Sequence, residues 1–194
     1  MGKATREAYG NALARIGKEN TNIIVLDADL SKSTKTDTFK GACPERFFNV
    51  GIAEQNLISV GAGLAAAGKI PFVSSFSMFA TGRAFEQIRN AVCYPKLNVK
   101  VCATHAGITV GEDGATHQSL EDISCMRTLP NMTVVVPADE RETEAVIDWA
   151  ASYEGPVYVR LGRAGVDDVT AEGYTFVPGK STTLVEGSDV TIIA

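Results

Sequence analysis

Residues 23–29 read Ile23-Ile24-Val25-Leu26-Asp27-Ala28-Asp29. A short apolar run followed at once by carboxylates is how a buried parallel strand delivers polar groups at its C-terminal end. The pattern continues on both sides. Residues 5–17 carry Ala8, Leu13 and Ile16 with charges between them, which predicts an amphipathic helix ending near Gly17. Residues 54–67 predict a helix rich in Gly and Ala, residues 70–75 a strand, 83–93 a helix and 99–103 a strand. Ser119-Leu120-Glu121-Asp122 has the form of a capping box opening a helix. Residues 132–136 predict a strand closed by Pro137. Asp139 with Glu142 opens a helix through about Ala151, and residues 157–161 predict the next strand.

This alternation predicts a three-layer α/β/α domain with a mainly parallel sheet over residues 1–165. Residues 166–187 are turn-rich and polar and read as a linker. Residues 188–194 read as the first strand of a C-terminal domain that is cut short. Ligands of such sheets bind beyond the carboxyl ends of the strands. The polar groups just after Leu26, Val73, Ala103 and Leu161 are therefore the ones to inspect.

Composition narrows the function. Of 194 residues, 45% are hydrophobic and 21% charged, enough apolar material for a packed core. A net charge of −5 argues against nucleic acid as the main partner, while leaving room for a local basic site for a phosphorylated small molecule. Cys43, Cys93, Cys102 and Cys125 form no CxxC pair, so neither a zinc site nor a disulfide framework is expected. No segment approaches a membrane span and the N-terminus lacks a signal-peptide core, so a cytoplasmic protein without membrane contact is expected.

Glu54 lies in Gly51-Ile52-Ala53-Glu54-Gln55-Asn56, at the start of a helix. A carboxylate there gains from the helix dipole, so it reads either as a cap or as a functional acid. The following Gly61, Ala62, Gly63, Ala65, Ala66 and Ala67 remove bulk at a cost of about 1 kcal/mol per helical Gly, which suggests a close helix–helix contact, within the chain or between subunits. Phe76 and Phe79 follow a strand end, placed either for ordinary core packing or to stack on a flat heteroaromatic ring. The only two histidines, His105 and His117, share the long Gly-containing loop 104–118, a candidate for substrate contact or proton transfer. No spacing supports a metal site, a Walker loop or a dinucleotide fingerprint. Arg163 follows a strand and Arg6 opens the first helix. Either suits a phosphate, and either alone reads equally as a surface arginine.

Taken together, the runs Ala4-Thr5-Arg6, Asp27-Ala28-Asp29-Leu30, Gly51 to Asn56, Ser75-Phe76-Ser77-Met78-Phe79, Arg83-Ala84-Phe85-Glu86-Gln87-Ile88-Arg89 and Gly111-Glu112-Asp113-Gly114-Ala115-Thr116-His117-Gln118 resemble the pyrimidine-binding domain of transketolase, a thiamine diphosphate enzyme. They run in order from residue 4 to about 163. The chain is similar to the C-terminal subunit of split, two-subunit transketolases. The resemblance implies a thiamine diphosphate-binding, pyrimidine-domain fold and transfer of a two-carbon ketol unit from a ketose phosphate to an aldose phosphate, as in the pentose phosphate pathway. It implies that Glu54 hydrogen-bonds a ring nitrogen of the aminopyrimidine, that Phe79 stacks on this ring with Phe76 nearby, and that Asp29 lies near the cofactor. His105 and His117 would line the substrate channel, Asp113 would meet sugar hydroxyls, and Arg6, Ser33 and Arg163 would hold the substrate phosphate.

The family carries the diphosphate and Mg2+ on another domain with a Gly-Asp-Gly run, and this sequence contains none. The resemblance therefore implies a diphosphate-binding N-terminal partner subunit, assembly as a homodimer or heterotetramer, and no activity for this chain alone. Deoxyxylulose phosphate synthase shares the Ile-Ala-Glu-Gln run and the Thr-His-Gln. The Gly111 to Gly114 run and Phe76 to Phe79 favour transketolase. A non-catalytic assembly module of the same fold is a further alternative, against which intact Glu54, His105 and His117 argue.

Overall fold

A computed structural model describes residues 2–192 of the chain. Helix α1 (Thr5–Glu19) buries Ala8, Tyr9, Ala12, Leu13 and Ile16, the three- and four-residue spacing of one helical face. Strand β1 (Ile23–Asp27) follows and is buried throughout. Two short helices, α2 (Ser31–Thr34) and α3 (Asp37–Ala42), lead to β2 (Phe47–Asn49). Helix α4 (Glu54–Ala66), β3 (Ile70–Phe76), α5 (Phe85–Gln87), β4 (Lys100–Thr104), α6 (Asp122–Arg127), β5 (Thr133–Val135), α7 (Glu140–Ser152) and β6 (Val157–Arg160) complete the order.

The six strands pair in the order β2-β1-β3-β4-β6-β5, and every pairing is parallel. Alternate strand residues feed two cores. Ile24, Leu26, Val73, Val101 and Tyr158 pack under α4 and α6, while Ile23, Val25, Phe72, Cys102 and Val159 pack under α1, α3 and α7. This is the expected three-layer α/β/α sandwich. Each fully buried Ile, Leu or Val contributes about 1.5–3 kcal/mol relative to exposure.

Several local expectations change. The helix expected at 83–93 is mostly π-helical, with wide turns at Met78–Arg83 and Ile88–Cys93 on either side of α5. Ser119 does not cap α6. The helix starts three residues later, and the Ser119 hydroxyl turns inward to Ser77. The Asp139 cap forms as expected, accepting the Glu142 amide at 2.9 Å. Gly61 is required by the sheet: a Cβ there would lie 2.7 Å from Val73 Cγ1, whereas one at Gly63 would meet nothing within 4 Å. Residues 166–192 form no helix or strand, and Thr170 and Tyr174 bond back to Asp139 and Glu142 of the α7 region. The expected strand over 188–194 is not seen in residues 188–192, and Ile193 and Ala194 lie outside the described residues.

Candidate active site

Strand β1 is followed in sequence by β2 on one side and β3 on the other, so connections leave this point of the sheet in opposite directions. A crevice forms at such a switch point because the two crossovers diverge. A pocket of about 210 Å³ lies there, lined by Ala28, Asp29, Leu30, Ile52, Glu54, Phe79 and Arg83.

Glu54 is the first residue of α4 and is 1% exposed. Its carboxylate does not cap its own helix. Oε2 accepts from Arg83 Nη1 at 2.7 Å, and Ser75 Oγ donates to Oε1 at 3.4 Å. The Arg83 guanidinium also lies over the Phe79 ring, 4.6 Å from its centroid. Both residues sit on the first wide turn after β3. A π-turn advances side chains differently from an α-turn, which is a reason such turns recur at functional sites.

The loop after β1 is built on Asp27. Its buried carboxylate accepts from the Leu30 amide and from the Thr34 and Thr36 hydroxyls. Burial raises its pKa, and those three hydrogen bonds oppose the rise. The turn this anchors exposes Asp29, with φ 65°, bonded by Asn49 Nδ2 at 2.8 Å. It also presents the Ser33 carbonyl, which accepts from Arg6 Nη1 at 2.8 Å.

His105 follows β4 with φ 59° and is buried. Its ring stacks on Phe76 at 3.9 Å between centroids, and Nδ1 is 2.9 Å from Thr104 Oγ1. Burial is the largest cause pushing its pKa down to about 4; Arg6, Arg163 and His117 push the same way and Asp113 opposes them. His105 is therefore neutral at pH 7. His117 is half-buried and meets Phe79 edge-on at 5.1 Å. Burial, then Arg163, lower the pKa of Arg6, whose buried Nε has no hydrogen-bond partner among the described residues.

The structure thus gathers Glu54, Phe76, Phe79, Asp29, His105 and His117 along the carboxyl end of β1, β3 and β4. Arg6, Arg163 and Asp113 act on His105 electrostatically. The Ser33 hydroxyl takes no hydrogen bond with this group; only its carbonyl does. Asp27 and Ser75 lie among the polar groups after Leu26 and Val73 that the sequence marked for inspection, without a role assigned to either, and Arg83 was not singled out. Arg83 stood within a quoted run, and only its pairing with Glu54 across 29 positions distinguishes it. Among the described residues, no cluster of three or more His, Cys, Asp or Glu is arranged for a metal, and no helix is long and apolar enough to cross a membrane.

Fold and pocket together define a doubly wound α/β domain whose pocket opens at the sheet's switch point. The family described as transketolase, pyrimidine binding domain, matches residues 1–167, and the chain belongs to it. It is 58% identical to a putative transketolase C-terminal section of Methanocaldococcus jannaschii over 99% of this chain and 61% of that protein. It is 42% identical to a 6-deoxy-6-sulfo-D-fructose transketolase subunit of Clostridium sp. over 97% of this chain and 59% of that one. A solved structure described as a split gene transketolase, inactive beta4 tetramer, superimposes with a TM-score of 0.87 at 61% identity, covering 96% of this chain and 60% of that chain. The chain thus spans about three fifths of these relatives. Members of the transketolase family use thiamine diphosphate.

Proposed function

We propose that this chain is the pyrimidine-binding C-terminal part of a transketolase. It moves a two-carbon ketol unit from a ketose phosphate to an aldose phosphate in the cytoplasm, as in the pentose phosphate pathway. Residues 1–165 form the working domain, residues 166–187 a linker, and residues 188–194 lead into a further domain. The observation that carries the reading is Glu54, buried at the head of α4 and opening onto the pocket beside Phe79.

The residues present fit the pyrimidine half of the cofactor: a flat aromatic wall and a buried carboxylate in a small, largely apolar pocket. We assign the diphosphate and Mg2+ to an N-terminal partner subunit in a homodimeric or heterotetrameric assembly. The relative described as an inactive beta4 tetramer supports inactivity of this chain alone. Bound thiamine diphosphate supplies the carbanion chemistry.

The chain's own groups divide the remaining work. Glu54 exchanges a proton with a ring nitrogen, held by Ser75 and released from Arg83. Phe79 and Phe76 fix the ring plane, and Asp29 borders it. His105, neutral at pH 7, and His117 accept and return protons at substrate hydroxyls, and Asp113 bonds a further hydroxyl. Arg6 and Arg163, two cations close enough to disfavour one another, are relieved by an anion, which supports a phosphate site completed by Ser33.

The test is reconstitution with a Gly-Asp-Gly-bearing subunit, using ketose phosphates, 6-deoxy-6-sulfo-D-fructose and pyruvate as donors. Ketol transfer that disappears in Glu54→Gln supports the reading. Use of pyruvate would move the assignment to deoxyxylulose phosphate synthase. A full rate from the chain alone would overturn the need for a partner.

A further inference from the structure

Away from the pocket, a buried polar network crosses the domain. Asp122, the first residue of α6, is 1% exposed. Its Oδ2 accepts from the Tyr158 hydroxyl at 2.8 Å and from Arg160 Nε at 2.7 Å. The Tyr158 hydroxyl lies 2.9 Å from Ser77 Oγ, and the Ser77 and Ser119 hydroxyls are 3.2 Å apart. Oδ1 of Asp122 is buried and has no hydrogen-bond partner among the described residues.

The two arms of the network end at related places. Arg160 packs against Gly107, where a Cβ would stand 3.3 Å from Nη2. Ser119 is the antiparallel bridge partner of that same Gly107, whose amide donates to the Ser119 carbonyl at 2.9 Å. Gly107 is two residues after His105, and Ser119 is two residues after His117. Ser77 is the residue before the wide turn Met78–Arg83 that carries Phe79. One carboxylate oxygen therefore ties down both ends of the histidine loop and the base of the aromatic turn.

We propose that Asp122 is the positioning residue for His105 and His117: through Arg160 it fixes the loop at Gly107, and through Tyr158 and Ser77 it fixes the loop at Ser119. It touches neither pocket nor histidine and acts through these partners. The inference rests on the functional reading above only where turnover is concerned.

The test uses Asp122→Asn and Tyr158→Phe, each losing one charge or one hydroxyl without loss of bulk. With two histidines in the whole chain, their ring C–H proton resonances are assignable by replacing each in turn. The His105 resonances report its stack on Phe76, and those of His117 its edge contact with Phe79. In variants with native far-UV circular dichroism, the resonances of both histidines move from their wild-type positions. In the reconstituted enzyme kcat/KM falls by up to about a hundredfold, as for a misplaced catalytic group. Unmoved resonances in a folded Tyr158→Phe chain overturn the proposal, even where Asp122→Asn does not fold. Moved resonances with undiminished turnover leave the placement standing and instead remove the histidines from the reaction.

Discussion

Arg83 Nη1 donates to Glu54 Oε2 at 2.7 Å, and the same guanidinium covers the face of Phe79. The chain's own cation thus occupies one face of Phe79 and one oxygen of the Glu54 carboxylate, the two groups to which the proposed function assigns the pyrimidine. Under the proposed function, a ring stacking on this face of Phe79 would displace it.

Removing Arg83 leaves a buried carboxylate with one weak donor. Arg83→Met should destabilise the chain by about 1–3 kcal/mol, since a buried charged acceptor loses its partner, and the half-exposed arginine keeps the effect below that of a fully buried pair. In a Glu54→Gln background the same change should cost much less. The midpoint of urea unfolding measures both. Equal losses in the two backgrounds would mean the pair contributes nothing.

His105 makes stability sensitive to acid. Its folded pKa is about 4 against 6.5 for an unperturbed histidine. Between those values the unfolded state binds the extra proton, so stability is intact above pH 6.5 and falls as pH drops toward 4. A shift of that size corresponds to at most about 3–4 kcal/mol. Unfolding free energies of wild type and His105→Asn measured across this window should differ in slope; parallel curves would refute it.

Lys100 acts at the other end of the scale. It is fully buried at the start of β4, its Nζ donating to the Tyr153 and Gly155 carbonyls at 2.7 Å each. Burial pushes its pKa down to about 8 from 10.5. Between pH 8 and 10.5 the unfolded state holds more protons, so this residue alone makes stability rise with pH. Cys93 and Cys102, whose burial pushes their pKa values up to about 11 and about 12, pull the other way above pH 9. The difference between wild type and Lys100→Met isolates the lysine. That difference should change in favour of wild type as pH rises from 8; a flat difference would exclude an ionisable Lys100.

How far the sequence reaches is visible at particular residues. The strands at Ile23, Ile70, Lys100 and Val157 were legible because each is a compact apolar run with a turn or carboxylate behind it. Strand β2, three residues on the sheet edge, has too little apolar pattern to register. The wide turns at Met78 and Ile88 were hidden because their sequence is that of an ordinary helix, and only contact with α4 and the sheet sets the extra residue per turn. Ser119 looked like a cap because the sequence signature of a capping box is a spacing alone, whereas its hydroxyl meets Ser77 from a segment 42 positions away. The candidate acids and histidines were legible as types at strand ends. Their couplings, Arg83 to Glu54 and Asp122 to Arg160, are long-range and leave no local trace.

The glycines of α4 divide by function. Gly61→Ala forces a Cβ to 2.7 Å from Val73 and should cost about 1–3 kcal/mol of overpacking. Gly63→Ala meets open space and should stabilise the isolated chain by about 0.5–1 kcal/mol through helix propensity. Thermal melts of the two variants check this. If Gly63 faces a partner subunit, its alanine variant should also weaken reconstitution while the chain itself melts higher.

Asp29 and His105 both hold left-handed backbone, a conformation whose cost of about 1–2 kcal/mol glycine escapes. Two candidate site positions thus sit where folding alone would prefer another residue. A library randomised at position 105 and sorted for expression should drift toward Gly and Asn, whereas one sorted for turnover should return to His. The gap between those two populations would express, in sequence frequencies, how much conformational ease this domain gives up to present an imidazole at that point.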